Sequence, residues 1–302
     1  MSNDTPQKLD LNKVLMVEQI PAMPHSALTI LRIDNDLAKV NIMDMVRPIE
    51  ADPGLASQVL KFLNSSYFSF RSSISNVKQG IALVGIRIVK NFVLWKVIFS
   101  LIPKSRVGNF DVGFLWQDSL RRAMFARFML MESRRGDSEI AFAGALLQDM
   151  AVPLLLTQIP SEYGRVLEKL FTQPLARLSE IEQEIFGWNH AEAAAKLGNN
   201  WQLPPILISI TENHLKIDGL VDQFTQQPEQ AIVALSALLP SAAKPEWFEK
   251  ELFINYFEAM FPGKPTLISS IFSKVDKEFE QYASFMEVIK PKKTMMEYLI
   301  ND

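Results

Sequence analysis

The sequence contains no cysteine among its 302 residues, and this absence excludes several kinds of chemistry. Disulfide bonds, thiolate catalysis and cysteine-based zinc sites all require a residue that the chain lacks. A chain without cysteine fits a reducing compartment, where disulfides are rare. The sequence also has no glycine-rich phosphate-binding loop, so it does not carry the common nucleotide-binding motifs.

The chain has no excess of positive charge and no long apolar run. Its 31 lysines and arginines face 34 acidic residues, a net charge of −3, whereas a dedicated nucleic-acid binder usually carries a basic domain. The longest apolar stretches, such as NFVLWKVIFSLI, are about a dozen residues and contain lysine, although a membrane span needs roughly 20. The polar N-terminus lacks the apolar core of a signal peptide. We therefore expect a soluble cytoplasmic protein with no nucleic-acid and no membrane partner.

What the sequence does contain is helical periodicity. The composition, 48% hydrophobic and 22% charged, is that of a globular protein with a sizeable core. In DPGLASQVLKFLNSS, apolar residues recur at the spacing of one helix face, with Asp52 as a candidate N-cap and Pro53 at the first helical position. We predict an all-α fold, because no alternating strand pattern is evident.

Helix boundaries and breaks divide the chain into three parts. One long helix is predicted from the cap Ser75 to Pro103, loosened by two glycines, and Pro48 should kink or end a short helix that follows Asn41. The loop 103–112 and a second break near 216–228 separate two helical blocks, 15–105 and 106–220, from a helical extension, 221–302. We predict two packed helical bundles with additional C-terminal helices.

Polar residues in apolar surroundings mark the candidate site. Gln148 and Asp149 are the strongly polar pair in GALLQDMAVPLLL, and a buried polar pair costs free energy unless it is satisfied. Metal centres draw on histidine and acidic side chains from several helix positions. Asp118, His190 and His214 lie in three other helical segments. Four helices could therefore point one candidate each into a common pocket.

These residues carry a resemblance to a known family. The order W-x-x-S, GALL-x-D, F-G-x-x-H-A-E and a later histidine resembles the HD phosphohydrolase arrangement. The stretches IPAMPHSALTIL, IEADPGLASQVLKFLNSSYF and ISNVKQGIALVGIRIVKNFVL resemble the HDOD domain, an HD-related output domain of bacterial signalling proteins. The resemblance covers about residues 15–220. It implies a degenerate HD-like bundle in the second block.

The resemblance also implies that catalytic function has been lost. In the catalytic relatives a His-Asp dyad holds a divalent metal, and here Gln148 stands at the histidine position. An amide is a weaker ligand than imidazole. Asp118 stands where those relatives place another histidine. We therefore predict a vestigial HD pocket of Asp118, Gln148, Asp149, His190 and His214, with no catalytic residue, no bound metal and no cofactor. Asp118, Asp149, His190 and His214 could still form a weak cation site.

Simpler interpretations of the same residues stay open. Gln148 and Asp149 could be a hydrogen-bonded pair inside a bundle. His190 follows Asn189, a residue that can cap the next helix, and His214 could face a helix C-terminus. An arginine group could receive a phosphate, chiefly through Arg121 and Arg122, although a solvated helix face is the simpler interpretation.

The predicted function follows from this site and from one junction. Asn64 and Tyr67 lie at a helix-to-loop corner, where Asn can bond free backbone groups, and we predict that they hold the two blocks in one orientation. We expect a non-catalytic bacterial signalling module that binds an unidentified signalling protein and that a small ligand in the pocket could gate. The alternatives are a divalent-metal phosphohydrolase acting on a nucleotide and a nucleotide sensor without chemistry.

Overall fold

A computed structural model of the chain describes residues 9–16, 18, 20–33, 40–101, 106–107, 110–173, 175–286 and 288–301. Almost all of the described secondary structure is helical, so the predicted all-α class is confirmed. One continuous hydrophobic core extends from Val14 to Tyr298 and includes residues of both blocks and of the C-terminal extension. The predicted boundaries near 105 and 220 therefore remain predictions about sequence organisation.

In the described part of the first block there are six helices, several of which begin at a side-chain cap. Asp52 Oδ1 accepts a hydrogen bond from the Leu55 amide at 3.0 Å, with Pro53 in the first turn, which confirms the predicted cap. Asn41 forms a capping box with Asp44. The helices are α1 Leu11–Val14, α2 His25–Leu31, α3 Ile42–Glu50, α4 Pro53–Leu63, α5 Val77–Val84 and α6 Ile86–Leu101.

Two predicted details of this block, the single long helix and its cap at Ser75, are wrong. The long helix predicted from Ser75 is two helices, because Gly85 has a φ of 96°, a conformation that glycine adopts without steric cost. Its cap is Asn76 rather than Ser75, and Asn76 Oδ1 accepts from the Gln79 amide. Helix α3 continues for two residues beyond Pro48 and ends at Glu50.

The second block contains the helices that carry the candidate site. It begins with a short antiparallel pair of strands, β1 Arg106–Val107 and β2 Phe110–Asp111, which the sequence did not predict. Residues 103–105 and 108–109 of the predicted loop lie outside the described residues. The helices are α7 Val112–Ser133, α8 Ser138–Leu147, α9 Ala151–Gln158, α10 Pro160–Thr172, α11 Leu178–Phe186, α12 His190–Asn200, α13 Pro205–Asn213 and α14 Ile217–Leu220.

A glycine brings two of these helices together at the site. A Cβ atom at Gly144 in α8 would lie 2.5 Å from a side-chain carbon of Ile210 in α13. Only glycine therefore permits this approach without a shift of the neighbouring helix. The close packing places the C-terminal end of α8, which leads into Gln148 and Asp149, beside the end of α13, which leads into His214.

The C-terminal extension packs onto the second block. Its helices are α15 Pro228–Ser236, α16 Lys250–Met260, α17 Pro265–Met286 and α18 Met295–Asn301, and α15 and α17 both contact α7. The buried aromatic residues of this extension include Trp247, Phe253 and Phe257. Phe248 remains 37% exposed.

A buried polar network joins the three parts. Arg127 Nη2 contacts Glu139 Oε2 at 2.8 Å, and the same carboxylate oxygen accepts from Asn91 Nδ2 at 2.8 Å. Arg127 also donates to the hydroxyl of Tyr282 in α17 and lies 3.8 Å from the ring centre of Phe142. These contacts link α6, α7, α8 and α17.

The predicted junction residues divide into two cases. Tyr67 does leave the first block, since its hydroxyl bonds Glu278 of α17 at 3.3 Å and its ring packs edge-on against Tyr282. Asn64 does not: its side chain donates to Leu60 O and Ile74 O and accepts from the Ile74 amide. These partners lie within the first block, so the junction role of Asn64 stays a prediction.

One segment of the described chain, Ser138–Gln158, is long and apolar enough to cross a membrane by length and composition. It comprises α8, the turn at Gln148 and Asp149, and α9. Of its apolar window, 89% is buried inside the protein. Its apolar character is therefore accounted for by its place in the core.

Candidate functional site

The ends of three helices supply four of the polar residues in the candidate site. Gln148 and Asp149 follow the last turn of α8. His190 is the first residue of α12, whose predicted cap Asn189 accepts from the Ala191 amide at 3.0 Å. His214 follows the last residue of α13. A side chain at the end of a helix can point along the helix axis, beyond the last turn. Residues from the ends of three helices can therefore meet at one point.

The donor atoms of Asp149, His190 and His214 converge. The two Nε2 atoms of the histidines are 3.3 Å apart. Asp149 Oδ1 lies 3.4 Å from Nε2 of His190 and 3.8 Å from Nε2 of His214. All three residues are buried, with exposed fractions of 7%, 4% and 1% for Asp149, His190 and His214. The sequence prediction that these three residues share a pocket agrees with this geometry.

Outer partners fix the orientation of both imidazole rings. Nδ1 of His190 lies 2.6 Å from Glu182 Oε2, which also accepts from the His190 amide. Nδ1 of His214 lies 2.6 Å from the carbonyl oxygen of Thr211. A carboxylate or carbonyl oxygen can only accept, so both Nδ1 atoms carry protons. Both Nε2 atoms therefore point at each other and at Asp149.

The Nε2 lone pairs of the two histidines face each other, so a proton on one of these atoms would relieve their repulsion. The charges around the cluster indicate which histidine binds that proton more readily. Burial lowers the pKa of His190, but the carboxylates of Glu182 and Asp149 more than offset it and raise that pKa above its usual value. Burial and the neighbouring His190 lower the pKa of His214 to about 3. Of the two histidines, His190 therefore binds a proton more readily, and His214 can accept a hydrogen bond from it.

Arg122 of α7 completes the site. Its Nη1 donates to Asp149 Oδ2, and the Gln148 amide oxygen, turned toward the guanidinium, accepts from Nε at 3.2 Å and from Nη1 at 3.1 Å. Burial raises the pKa of Asp149, but Arg122 and the two histidines outweigh it and hold that pKa below its usual range. Gln148 and Asp149 are therefore both hydrogen-bonded, as the interpretation of a polar pair inside a bundle requires.

The cluster fits a metal ion in one respect and not in another. Ligand atoms around a tetrahedral ion with bonds of 2.0–2.1 Å lie about 3.3 Å apart, close to the spacing found here. Hydrogen bonds from the far nitrogen of each histidine to a carboxylate or a backbone carbonyl are also typical of metal ligands. The Arg122 guanidinium, however, places a positive charge on the carboxylate that a divalent ion would need.

Asp118 and Arg121 do not contact the three donors. Asp118 accepts from the Ser241 hydroxyl at 2.6 Å and from the Ala242 amide at 2.7 Å, so its carboxylate fastens the extension to α7. Its predicted place among the pocket ligands is wrong for that reason. Arg121 donates to the Lys293 carbonyl and is 1% exposed, so the solvated helix face expected for the two arginines is also wrong.

The comparison with protein families shows which family the chain belongs to. The profile of the HDOD domain matches residues 20–217, more than half of the chain. The chain belongs to the HDOD domain family. This confirms the resemblance read from the N-terminal stretches, which lie almost entirely inside the matched range.

Known structures share the HDOD fold over nearly the whole chain. An HDOD domain protein of unknown function from Geobacter sulfurreducens has a TM-score of 0.70 at 18% identity, covering 93% of this chain and 99% of its own. A candidate phosphohydrolase from Shewanella amazonensis SB2B also has a TM-score of 0.70, at 15% identity, with coverage of 94% and 99%. A candidate signal transduction protein from Marinobacter aquaeolei VT8 has a TM-score of 0.63 at 19% identity, with coverage of 96% and 60%.

Sequence relatives of this HDOD chain are longer proteins. An uncharacterized protein of Treponema pallidum (strain Nichols) is 26% identical over 211 residues, which cover 66% of this chain and 38% of the relative. The uncharacterized protein YuxH of Bacillus subtilis (strain 168) is 33% identical over 103 residues, 33% of this chain and 24% of the relative. The chain thus matches well under half of the length of either relative.

Sequence analysis missed Glu182 and Tyr163, which support His190 from outside. Glu182 is fully buried and also accepts a 2.5 Å hydrogen bond from the Tyr163 hydroxyl. A signal was available in LSEIEQEIF: Glu182 stands four residues after Leu178 and four before Phe186, on the apolar stripe of its helix. An acidic residue in a core-facing position indicates a specific partner.

Proposed function

We propose that this HDOD chain is a non-catalytic regulatory module that acts by presenting a surface to another signalling protein. The observation that carries the proposal concerns Asp149, His190 and His214, which we call the histidine–carboxylate cluster. The cluster is closed to solvent. Asp149, His190 and His214 are at most 7% exposed, and Asp149 already serves Arg122 through its second oxygen. A hydrolytic metal centre needs an open position for water and substrate, and this enclosure argues against one.

An exposed apolar cleft supports the interaction half of the proposal. The cleft, of about 740 Å³, lies where the first block, the end of α7 and the middle of α17 meet. Leu83 and Met131 on its lining are 56% and 58% exposed, and Lys274 and Lys277 form part of its polar side. Contiguous apolar surface with a polar rim is typical of protein-binding sites. The partner remains an unidentified signalling protein.

The interaction is tested by Met131→Glu in the full-length chain. A charge placed on the apolar lining should abolish capture of a specific, saturable partner while helix content and melting temperature stay unchanged. Phe171→Glu is the matched control, because Phe171 is 75% exposed and is not part of the cleft lining. If Met131→Glu and Phe171→Glu bind the partner as the unchanged chain does, this cleft is not the interaction surface.

A divalent-metal phosphohydrolase is the second candidate function, favoured by the three converging donors. Asp149, His190 and His214 would hold the ion, which would supply an activated water. The proposal expects no hydrolysis of phosphomonoesters, phosphodiesters or nucleotides with Mn²⁺, Co²⁺, Ni²⁺ or Zn²⁺ present, above the level of Asp149→Asn. Turnover that requires metal and is lost in Asp149→Asn would replace the regulatory proposal by this one.

The nucleotide-sensor alternative has less support. Arg122 is paired with Asp149 and Gln148, and Arg121 donates to a backbone carbonyl, so neither guanidinium is presented to a phosphate in solvent. Gating by a small ligand therefore needs a ligand that displaces one of these contacts. A thermal-shift screen with nucleotides checks this, since a ligand that binds only the folded state raises the melting temperature.

A further inference from the structure

The histidine–carboxylate cluster already has the arrangement that a metal site needs before its ion arrives. Three donor atoms from three different chain segments lie 3.3 to 3.8 Å apart. Each histidine is held through its other nitrogen by Glu182 or by Thr211. Ligands fixed in this way lose little conformational freedom when a metal binds. The donor set taken alone therefore favours the binding of a metal ion.

The obstacle to a metal is on the other side of Asp149. Arg122 bonds Oδ2 of the carboxylate whose Oδ1 faces the histidines. A divalent ion on Oδ1 would lie within a few ångströms of the guanidinium, in a poorly solvated region where like charges repel strongly. The guanidinium cannot be neutralised by losing its proton.

Arg122 also lies toward the open side of the cluster. Its side chain is 14% exposed and that of Asp149 is 9% exposed, whereas the side chains of His190 and His214 are 5% and 1% exposed. Gln148, which is fully buried, helps to hold the guanidinium in this place through two hydrogen bonds. An ion that approached Asp149 would therefore first meet a positive charge.

We propose that the Arg122 guanidinium is a built-in counter-cation that keeps divalent metal ions out of a donor set otherwise ready to bind one. The glutamine at position 148 has a role in the same device, because its amide accepts from the guanidinium and anchors it. The inference rests on the proposed function in that both treat the cluster as closed. It goes further, since it assigns the exclusion of metal ions to Arg122. Removal of the Arg122 guanidinium should therefore allow a metal ion to bind.

The test is Co²⁺ binding to the full-length chain and to Arg122→Met, which removes the charge and keeps an unbranched side chain of similar length. We expect Arg122→Met to bind close to one Co²⁺ per chain with the intense visible absorption of a tetrahedral site. Its affinity should exceed that of the unchanged chain on the order of a hundredfold or more, because a nearby like charge is removed from a low-dielectric site.

Two controls assign the effect to charge and to the donor set. Arg122→Lys keeps a positive charge at the same position and should bind Co²⁺ as weakly as the unchanged chain. Adding His214→Gln to Arg122→Met removes one donor and should abolish both the binding and the visible spectrum.

Each other outcome overturns the inference. A folded Arg122→Met that gains no Co²⁺ shows that the donors are not ready, and tight Co²⁺ binding by the unchanged chain at His190 and His214 shows that Arg122 does not exclude metal. In the second case the proposed function stands if no hydrolysis accompanies the binding and falls if it does. Should Arg122→Met unfold in chelator, recovery of helical circular dichroism with Zn²⁺ supports the inference, and no recovery overturns it.

Discussion

Two groups of polar side chains, one in each block, stabilise the fold in different ways. In the first block, Asn41, Asp52 and Asn76 accept hydrogen bonds from amides two or three residues away and begin helices. In the second block, Arg122, Arg127 and Glu182 are buried and bond groups that are brought together only by the fold. The first group is local in sequence and mostly solvated, whereas the second specifies how helices pack.

This difference indicates which substitutions should change the free energy of unfolding most. A cap contributes about 1 kcal/mol whether or not the rest of the chain folds in the same way. A buried charge contributes only when its partner is present, and its loss leaves the partner stranded. The second block should therefore be far more sensitive to single substitutions, and the predictions below are arranged to test that contrast.

The largest effect is expected for Arg127→Met. The substitution removes the partner of Glu139 and the donor to Tyr282 and should lower the free energy of unfolding by about 3–5 kcal/mol, the usual cost of breaking a buried pair. Urea denaturation followed by circular dichroism measures it. The control is Arg134→Met at the exposed end of the same helix, for which a change within about 0.5 kcal/mol is expected. Equal midpoints for the two variants would erase the contrast between buried and exposed charges.

A smaller loss, about 1–3 kcal/mol, is expected for Asp149→Ala, because Arg122 and the protonated His190 lose a hydrogen-bonding acceptor. Asp149→Asn should lose less, since an amide oxygen can still accept from Arg122. Chemical denaturation of the two variants side by side is the measurement. An unchanged midpoint in Asp149→Ala would mean that the contacts of Asp149 do not contribute to the stability of the fold.

The cluster should also give the free energy of unfolding a maximum near pH 6.5. The native pKa of His214 is about 3 against 6.5 in the unfolded chain, so between these values only the unfolded state binds this proton and stability rises with pH. The native pKa of His190 is raised above 6.5, so stability falls as pH rises from 6.5 through that pKa. Each slope can reach about 1.4 kcal/mol per pH unit for one proton.

Denaturation at a series of pH values measures this profile. His214→Gln should remove the rise on the acidic side, whereas His25→Gln, which changes an exposed histidine, should leave the profile as it is. A profile that is the same in the unchanged chain and in His214→Gln would show that the histidine pair does not titrate as described.

The smallest effect is expected for Asn64→Ala, about 1 kcal/mol from the loss of local hydrogen bonds. Because its partners lie within the first block, small-angle scattering should show the same shape for this variant and for the unchanged chain. Tyr67→Ala, which removes the contact with Glu278 and Tyr282, is the informative comparison. A change of shape in Asn64→Ala alone would support the junction role that the sequence suggested.

The helices were predictable because their signals are local. Asp52 with Pro53, and Asn189 before His190, are cap positions that any chain of this pattern would use. The split of the long helix at Gly85 was not predicted, since it depends on whether tertiary packing tolerates the local preference.

The site was predictable only in part. Asp149, His190 and His214 were found because histidine is rare in this chain and the family pattern relates the three. Arg122 and Glu182 were not placed there, because periodicity alone does not say which charged residue on a helix meets a partner from another helix. Asp118 was misassigned for the same reason, since its acceptors bind residues 241 and 242, far along the chain.

Helix α17 has a consequence for how the family's sequences should be compared. Three polar residues inside the matched range 20–217, Tyr67, Asp118 and Arg127, have partners outside it, at Glu278, Ser241 and Tyr282. An alignment confined to the matched range would omit the contact partners of these three side chains. We expect substitutions at these contacting positions to be paired across residue 217, so a cut there separates residues that depend on one another.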